Sequence, residues 1–194
     1  MIQTQPLQKT SVYYPPGGIL LWIIIFLELF TFAFALILMA INASETPELF
    51  YDSNAKLNTI YGTINTVFLL FSGWTMARSV SFLKKGEPLK SQLYLQLTLV
   101  GGLLFLLVKG IEYYEKLEMG LTLGYNLFFT YYWMLTLFHV IHVVVGLVIL
   151  YILGRQFSTS PHSLKTEDLE AGAAFWHMCD LIWLLLFPVL YLLF

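Results

Sequence analysis

Five stretches of this chain, at about residues 18–42, 57–83, 91–113, 125–153 and 170–193, are apolar for long enough to cross a bilayer, which takes about 20 predominantly apolar residues in a helix. In hydrocarbon every backbone N–H and C=O has to be satisfied within the protein, so spans of this kind fold as α-helices. The expected fold class is therefore all-α, an integral membrane bundle of five transmembrane helices. The second stretch is the least oily, with Asn58, Asn65, Ser72 and Arg78, yet "TVFLLFSGWTMA" is continuous enough to span. Composition agrees: 11% of the residues are charged, where soluble domains carry about 25%.

Residues 1–17 read as a polar tail that ends in Pro15, Pro16 and Gly17, without the basic start and short apolar core of a cleavable signal. Residues 18–194 then form one five-helix membrane domain with short connections and no internal repeat of the transporter kind. Seven of the ten basic residues (Lys9, Arg78, Lys84, Lys85, Lys90, Arg155 and Lys165) fall before the first span, between the second and third, or between the fourth and fifth. The other side carries the mainly acidic "SETPELFYDSNAK" and "EYYEKLEMG" with Lys56, Lys109 and Lys116. The positive-inside rule then puts the N-terminus in the cytoplasm and the C-terminus outside. A net charge of -2 gives no basic footprint for nucleic acid. Cys179 is the single cysteine, which excludes an internal disulfide and reads as a small packing residue.

The informative residues are the polar ones inside the spans. Glu28 lies about ten residues into the first span, near mid-bilayer at about 1.5 Å per residue. It reads either as a protonated structural acid bonded to a neighbouring helix or as a proton carrier. Asn58, Gly62, Asn65 and Ser72 form a stripe on the second span that permits close approach and cross-helix hydrogen bonds. Lys109 and Glu112, one turn apart at the end of the third, are expected to pair or snorkel to the outer interface, with Tyr113 and Tyr114 in the aromatic belt.

On the fourth span Leu135, His139, His142 and Gly146 share a face, and on the fifth Glu170, Ala173, Ala174, His177, Asp180 and Leu184 do. The economical expectation is that these faces meet, with imidazole donors answering carboxylate acceptors. Pro188 is expected to kink the fifth span by freeing the carbonyl of Leu184. The types of His139, His142, His177 and Asp180 would also suit zinc or copper, and a bis-histidine haem would need His177 with His139 or His142. Their spacing is no specific metal signature. Soluble-type catalysis has no nucleophile motif, phosphate loop or extramembrane domain to rest on.

"EAGAAFWHMCDLIWLLLFPVLY" resembles the last helix of cytochrome c oxidase subunit III, in which a Glu and small residues precede Trp-His-x-x-Asp-x-x-Trp; the matching residues are Glu170, Trp176, His177, Asp180 and Trp183. "FHVIHVVVGLVIL" resembles the helix before it through Phe138, His139, His142 and Gly146, and "KGIEYYE" resembles the family's acidic aromatic helix end through Glu112 and Tyr113. Glu28 in "LWIIIFLELFTFAFAL" looks like the family's buried helix glutamate. The length resembles the short bacterial form rather than the seven-helix mitochondrial one. Within that form, residues 48–80 and the ending look most similar to the subunit III homologue that accompanies nitric oxide reductase.

The resemblance implies an accessory subunit of the bacterial inner membrane with no redox centre of its own. Haem and copper would sit in the partner subunits. The chain would pack on the large catalytic subunit of an oxidase or nitric oxide reductase and hold phospholipid in a cleft near Glu28. It would support sustained turnover and proton uptake, and its histidines would be buried glue. Outside the family, the alternatives are an independent membrane haem or metal protein and a small transporter.

Overall fold

The computed structural model describes Pro15 and residues 17–159 and 165–194, which among them contain six helices and no strand. Five are long and apolar enough to span: α1 (Gly18–Glu45), α3 (Thr59–Lys84), α4 (Pro88–Glu118), α5 (Leu127–Thr159) and α6 (Thr166–Tyr191). The sixth, α2 (Pro47–Asn54), lies in the acidic connection between the first two spans. Pro47 opens it, where a missing N–H costs nothing. Phe50 anchors it, buried against Phe128 at 5.6 Å and Phe194 at 5.3 Å. Lys9 and the tail before Pro15 fall outside the described residues, as does the connection 160–164.

Helix ends follow local chemistry. Asn58 caps α3 by accepting the Ile60 N–H, and Pro88 begins α4. Between them Gly86 takes φ 73°, a left-handed turn that glycine adopts without a Cβ penalty, and folds α3 and α4 into a hairpin. Their seam is built from small and hydroxyl residues rather than leucines. Ser72 donates to the Thr98 carbonyl at 2.9 Å, Thr75 and Thr98 bond at 2.9 Å, and Ser79 donates to the Ser91 carbonyl at 2.8 Å. Gly101 packs on Ser72 so closely that a Cβ would come within 2.8 Å of it. Lipid gives no hydrophobic drive for helices to associate, so packing and interhelical bonds of this sort hold them. Of the expected stripe, Ser72 bonds α4 and Gly62 packs on Phe187 and Tyr191 of α6, whereas Asn58 is an exposed cap and Asn65, buried, has no hydrogen-bond partner for either amide atom among the described residues.

The large exposed side chains are apolar, among them Leu20, Phe30, Val67, Leu103, Ile141 and Ile152, as expected where the solvent is acyl chain. The centre of the bundle belongs to α6, which buries Trp176, Cys179, Ile182, Trp183, Leu186 and Leu190. It packs on α3, α5 and α1. Trp176 fills the space between α4 and α5 because Gly102 and Gly146 leave room for it, and its indole N–H donates to Ser72 Oγ at 3.1 Å. Trp183 likewise donates to Thr66 Oγ1 at 2.9 Å. Cys179 is a buried packing thiol. Pro188 lies within α6.

Candidate functional site

The strongest polar constellation sits where the C-terminal parts of α4 and α6 meet the N-terminal part of α5. Lys109 and Glu112, expected at the interface, are instead sealed inside the bundle, with side chains 1% and 0% exposed. Lys109 Nζ donates to Glu112 Oε2 at 2.9 Å, to Tyr191 Oη at 2.8 Å and to Tyr132 Oη at 3.3 Å. Both tyrosines pass their own hydrogen to Glu112 Oε1, Tyr132 at 2.9 Å and Tyr191 at 2.7 Å. The ammonium therefore has three acceptors and the carboxylate has three donors. Rings surround the same nitrogen: Tyr132, Tyr113, Trp183 and Tyr191 lie 4.9 to 5.5 Å from it by centroid, a range in which aromatic faces attract cations. A buried ion pair survives only when its desolvation is offset by such complete bonding.

Snorkelling fails here for a geometric reason. Lys109 lies on the α4 face that meets α5 and α6, so its stem points into the bundle and the ammonium finds tyrosine and carboxylate before it finds water. Tyr113 turns inward too, 4.8 Å from Trp133, and Tyr114 alone of that pair is exposed. A second layer lies one turn beyond Glu112 along α4: Lys116, also buried, donates to the Lys56 carbonyl at 2.7 Å, and Tyr61 donates to Glu115. Sequence reasoning missed Tyr132, Tyr191, Lys116 and Tyr61. Tyrosines near span ends read as belt residues, and nothing in their spacing marks them as ligands of a buried charge.

The histidines do not form the expected α5–α6 network. His142 faces α1, with Nε2 3.4 Å from Glu28 Oε2, and its Nδ1 lies 2.8 Å from its own helix carbonyl at Phe138. These two side chains are 13% and 20% exposed. His139 is fully buried and stacks on Trp183 at 5.4 Å with Phe105 edge-on at 5.6 Å. Neither of its ring nitrogens has a hydrogen-bond partner among the described residues. His177 is not buried: its side chain is 44% exposed, and Nδ1 lies 3.3 Å from Asp180 Oδ2 on the side facing α3. Glu170 sits at the other end of α6, paired with Lys84 of α3. At the α5–α6 boundary His139 meets the ring of Trp183 rather than a carboxylate, because Asp180 turns toward Gly73 of α3.

His139, His142, His177 and Asp180 therefore do not converge, and among the described residues no three His, Cys, Asp or Glu side chains gather as a metal site would require. Beside the Glu28–His142 pair a cleft of about 580 Å³ opens between α1 and α5, lined by Phe32, Leu38, Tyr131, Met134, Phe138 and Ile141 among others. Asn42 donates to Tyr131 Oη at 2.7 Å and ties the two helices near its rim. The shape and lining suit an acyl chain.

The Glu28→Gln variant is expected to fold, because an amide can still bond His142. Its expected cost is below about 1 kcal/mol, the size of one partly exposed hydrogen bond. Thermal unfolding in mild detergent checks this, and failure of the variant to insert would show that the charge itself is required.

Residues 17–193 match the family model described as cytochrome c oxidase subunit III. A relative from Synechocystis sp., cytochrome c oxidase subunit 3, is 32% identical over 91% of this chain and 74% of its own length. A probable cytochrome c oxidase subunit 3 from Mycobacterium leprae is 26% identical over 73% of this chain and 70% of its own. The rabbit (Oryctolagus cuniculus) cytochrome c oxidase subunit 3 is 33% identical over 66% of this chain, which there spans 48% of the relative. With nearly its whole length matched and its five spans in place, the chain belongs to the cytochrome c oxidase subunit III family.

Proposed function

We propose that the chain is the accessory subunit III of a respiratory haem-copper oxidase and packs on the large catalytic subunit, which holds the haem and copper. The observation that carries the reading, beside family membership, is the character of the polar interior. Its strongest charges, Lys109 and Glu112, are used up on each other and on tyrosines in a dry interior. Such a network fixes helix register and leaves no open position for a substrate. The Glu28–His142 pair beside the α1–α5 cleft supports a bound phospholipid, with the acyl chain on Phe32, Met134 and Ile141. The clustering of Lys84, Lys85 and Lys90 at one end supports a cytoplasmic N-terminus. The bacterial inner membrane is the compartment that fits the cyanobacterial and mycobacterial relatives.

Affiliation with the homologue of nitric oxide reductase complexes rests on residues 48–80 and the final helix. The relatives' names carry the oxidase, and that is the reading taken.

The test is a mild-detergent pull-down of the tagged chain from its native membrane, followed by mass spectrometry and a haem difference spectrum. A large haem-bearing subunit is the expected companion. An oxidase subunit supports the reading, and a nitric oxide reductase subunit moves the chain to the other complex. A clean chain carrying its own stoichiometric haem overturns both.

A further inference from the structure

Charges do not balance at the hairpin end of α3 and α4. Glu87 pairs with Lys90 and Glu170 with Lys84, while Glu167 and Asp168 lie in the first turn of α6, where the helix dipole favours acids. Arg78 and Lys85 pair with no carboxylate. All twelve acidic residues of the chain fall among the described residues, so none is left over for these two. The lysines at the opposite end are settled within the chain: Lys109 on Glu112, Lys116 on the Lys56 carbonyl, and Lys56 on the Tyr125 hydroxyl.

What Arg78 and Lys85 share is a ring. Offsets of four and seven residues put Arg78, Phe82 and Lys85 on one stripe of the helix. Arg78 Cζ lies 4.8 Å from the Phe82 centroid and 5.9 Å from that of Tyr94 on α4. The Nζ atoms of Lys85 and Lys90 lie 5.9 and 5.5 Å from the same Phe82 ring. Three cations therefore crowd one ring, and Glu87 offsets one of them. Arg78 is partly buried and its Nε is sealed from the surface without a partner. It is the twentieth residue of α3, about 28 Å from the helix start at about 1.5 Å per residue, where a hydrocarbon core about 30 Å thick gives way to headgroups.

We infer that this end of the hairpin binds the phosphate of an anionic phospholipid, with Arg78 as the fork and Lys85 as a second charge. Guanidinium matches a phosphate bidentately, and bilayer phosphates lie at this depth. A track for the acyl chain leads away from the cations: Phe82 meets Tyr94 at 5.1 Å, Tyr94 meets Trp74 at 6.0 Å, and Trp74 meets Phe71 at 6.0 Å. Trp74 and Phe71 are 55% and 47% exposed and lie deeper in the span. A free ion has no use for such a track. A zwitterionic headgroup would bring its own cation toward Lys85 and Lys90, with Glu87 already taken. The site is separate from the α1–α5 cleft and does not depend on the accessory-subunit reading. It lies at the end assigned above to the cytoplasm, the side on which anionic lipids concentrate.

The full chain carrying a photo-crosslinking aromatic residue in place of Trp74, in vesicles of equal phosphatidylglycerol and phosphatidylcholine, tests this. Adducts with phosphatidylglycerol are expected to exceed the others about tenfold. R78Q is expected to lower that ratio about fivefold, as loss of one interfacial cation implies. K85Q, at an exposed position, is expected to lower it about threefold. K165Q, at an exposed lysine of the same end, is expected to leave it unchanged. Equal adducts with both lipids overturn the site. A loss in K165Q as large as in R78Q overturns it too, by showing diffuse attraction to a basic surface. If inorganic phosphate abolishes the preference at constant ionic strength, the cations hold a free ion and the lipid is overturned. In native membranes the expected adduct is again lipid, and an adduct with protein instead overturns the proposal, since a partner's carboxylate would then be the counter-charge.

Discussion

Replacing Glu112 with leucine is expected to cost about 3–5 kcal/mol, the usual consequence of removing one member of a buried ion pair. Lys109 would keep two tyrosine hydroxyls and the surrounding ring faces, but no counter-charge, in a site where its side chain is 1% exposed. Tyr132 and Tyr191 would each lose the acceptor of their hydroxyl hydrogen. The informative comparison is the double variant K109M/E112L. It removes both charges and refills the volume with apolar atoms, and buried pairs replaced in this way are often neutral or better. The double variant is therefore expected to unfold closer to the wild type than either single one does. Graded SDS unfolding in mixed micelles measures all three. Singles as harmless as the double would show that Lys109 reaches water after all. A double as damaging as the sum of the singles would show that packing, not charge, dominates there.

That cluster also marks where the sequence stopped being legible. The five spans were readable because length and apolarity are properties of single segments. The α3–α4 seam was readable in part because small and hydroxyl residues recur on one helix face. Pairing between distant segments left no such trace. Glu28 and His142 are separated by 114 positions and nothing in either neighbourhood names the other. His139, His142 and His177 are similar residues with three different fates: a buried ring stacked on Trp183, a partner for α1, and a surface group held by Asp180. Which fate each takes depends on helix rotation, and a helix rotates about 100° per residue. Lys109 and Tyr114, five residues apart, accordingly end up inside and outside the bundle. The helix α2 was hidden for another reason: its eight residues, PELFYDSN, are too few to show a periodicity, and Phe50 holds it in place through contacts with Phe128 and Phe194.

Trp176 gives the second large effect. Its ring occupies a slot made by the absence of two side chains: a Cβ on Gly102 of α4 would come within 2.6 Å of Trp176 Cη2, and one on Gly146 of α5 within 2.9 Å of Cε3. Truncation to alanine is expected to cost about 3–5 kcal/mol, the range for emptying a large aromatic site. It also leaves Ser72 Oγ without the indole N–H at the joint where α3, α4 and α6 meet. The opposite change, Gly102→Ala, should cost about 1–3 kcal/mol by overpacking. The two effects are not independent, and their coupling is the sharper expectation. In a Trp176→Phe background the outer ring atoms nearest Gly102 are gone and the end of the Leu147 side chain, 2.7 Å from the same Cβ, gains room to move aside, so adding Gly102→Ala there should cost less than it does in the wild type. A thermal-unfolding double-mutant cycle reads this directly. Equal costs in both backgrounds would mean that Leu147, 2.7 Å from the same Cβ, and not Trp176 sets the cost, and the Gly102–Trp176 contact would then not be what sets the α4–α6 distance.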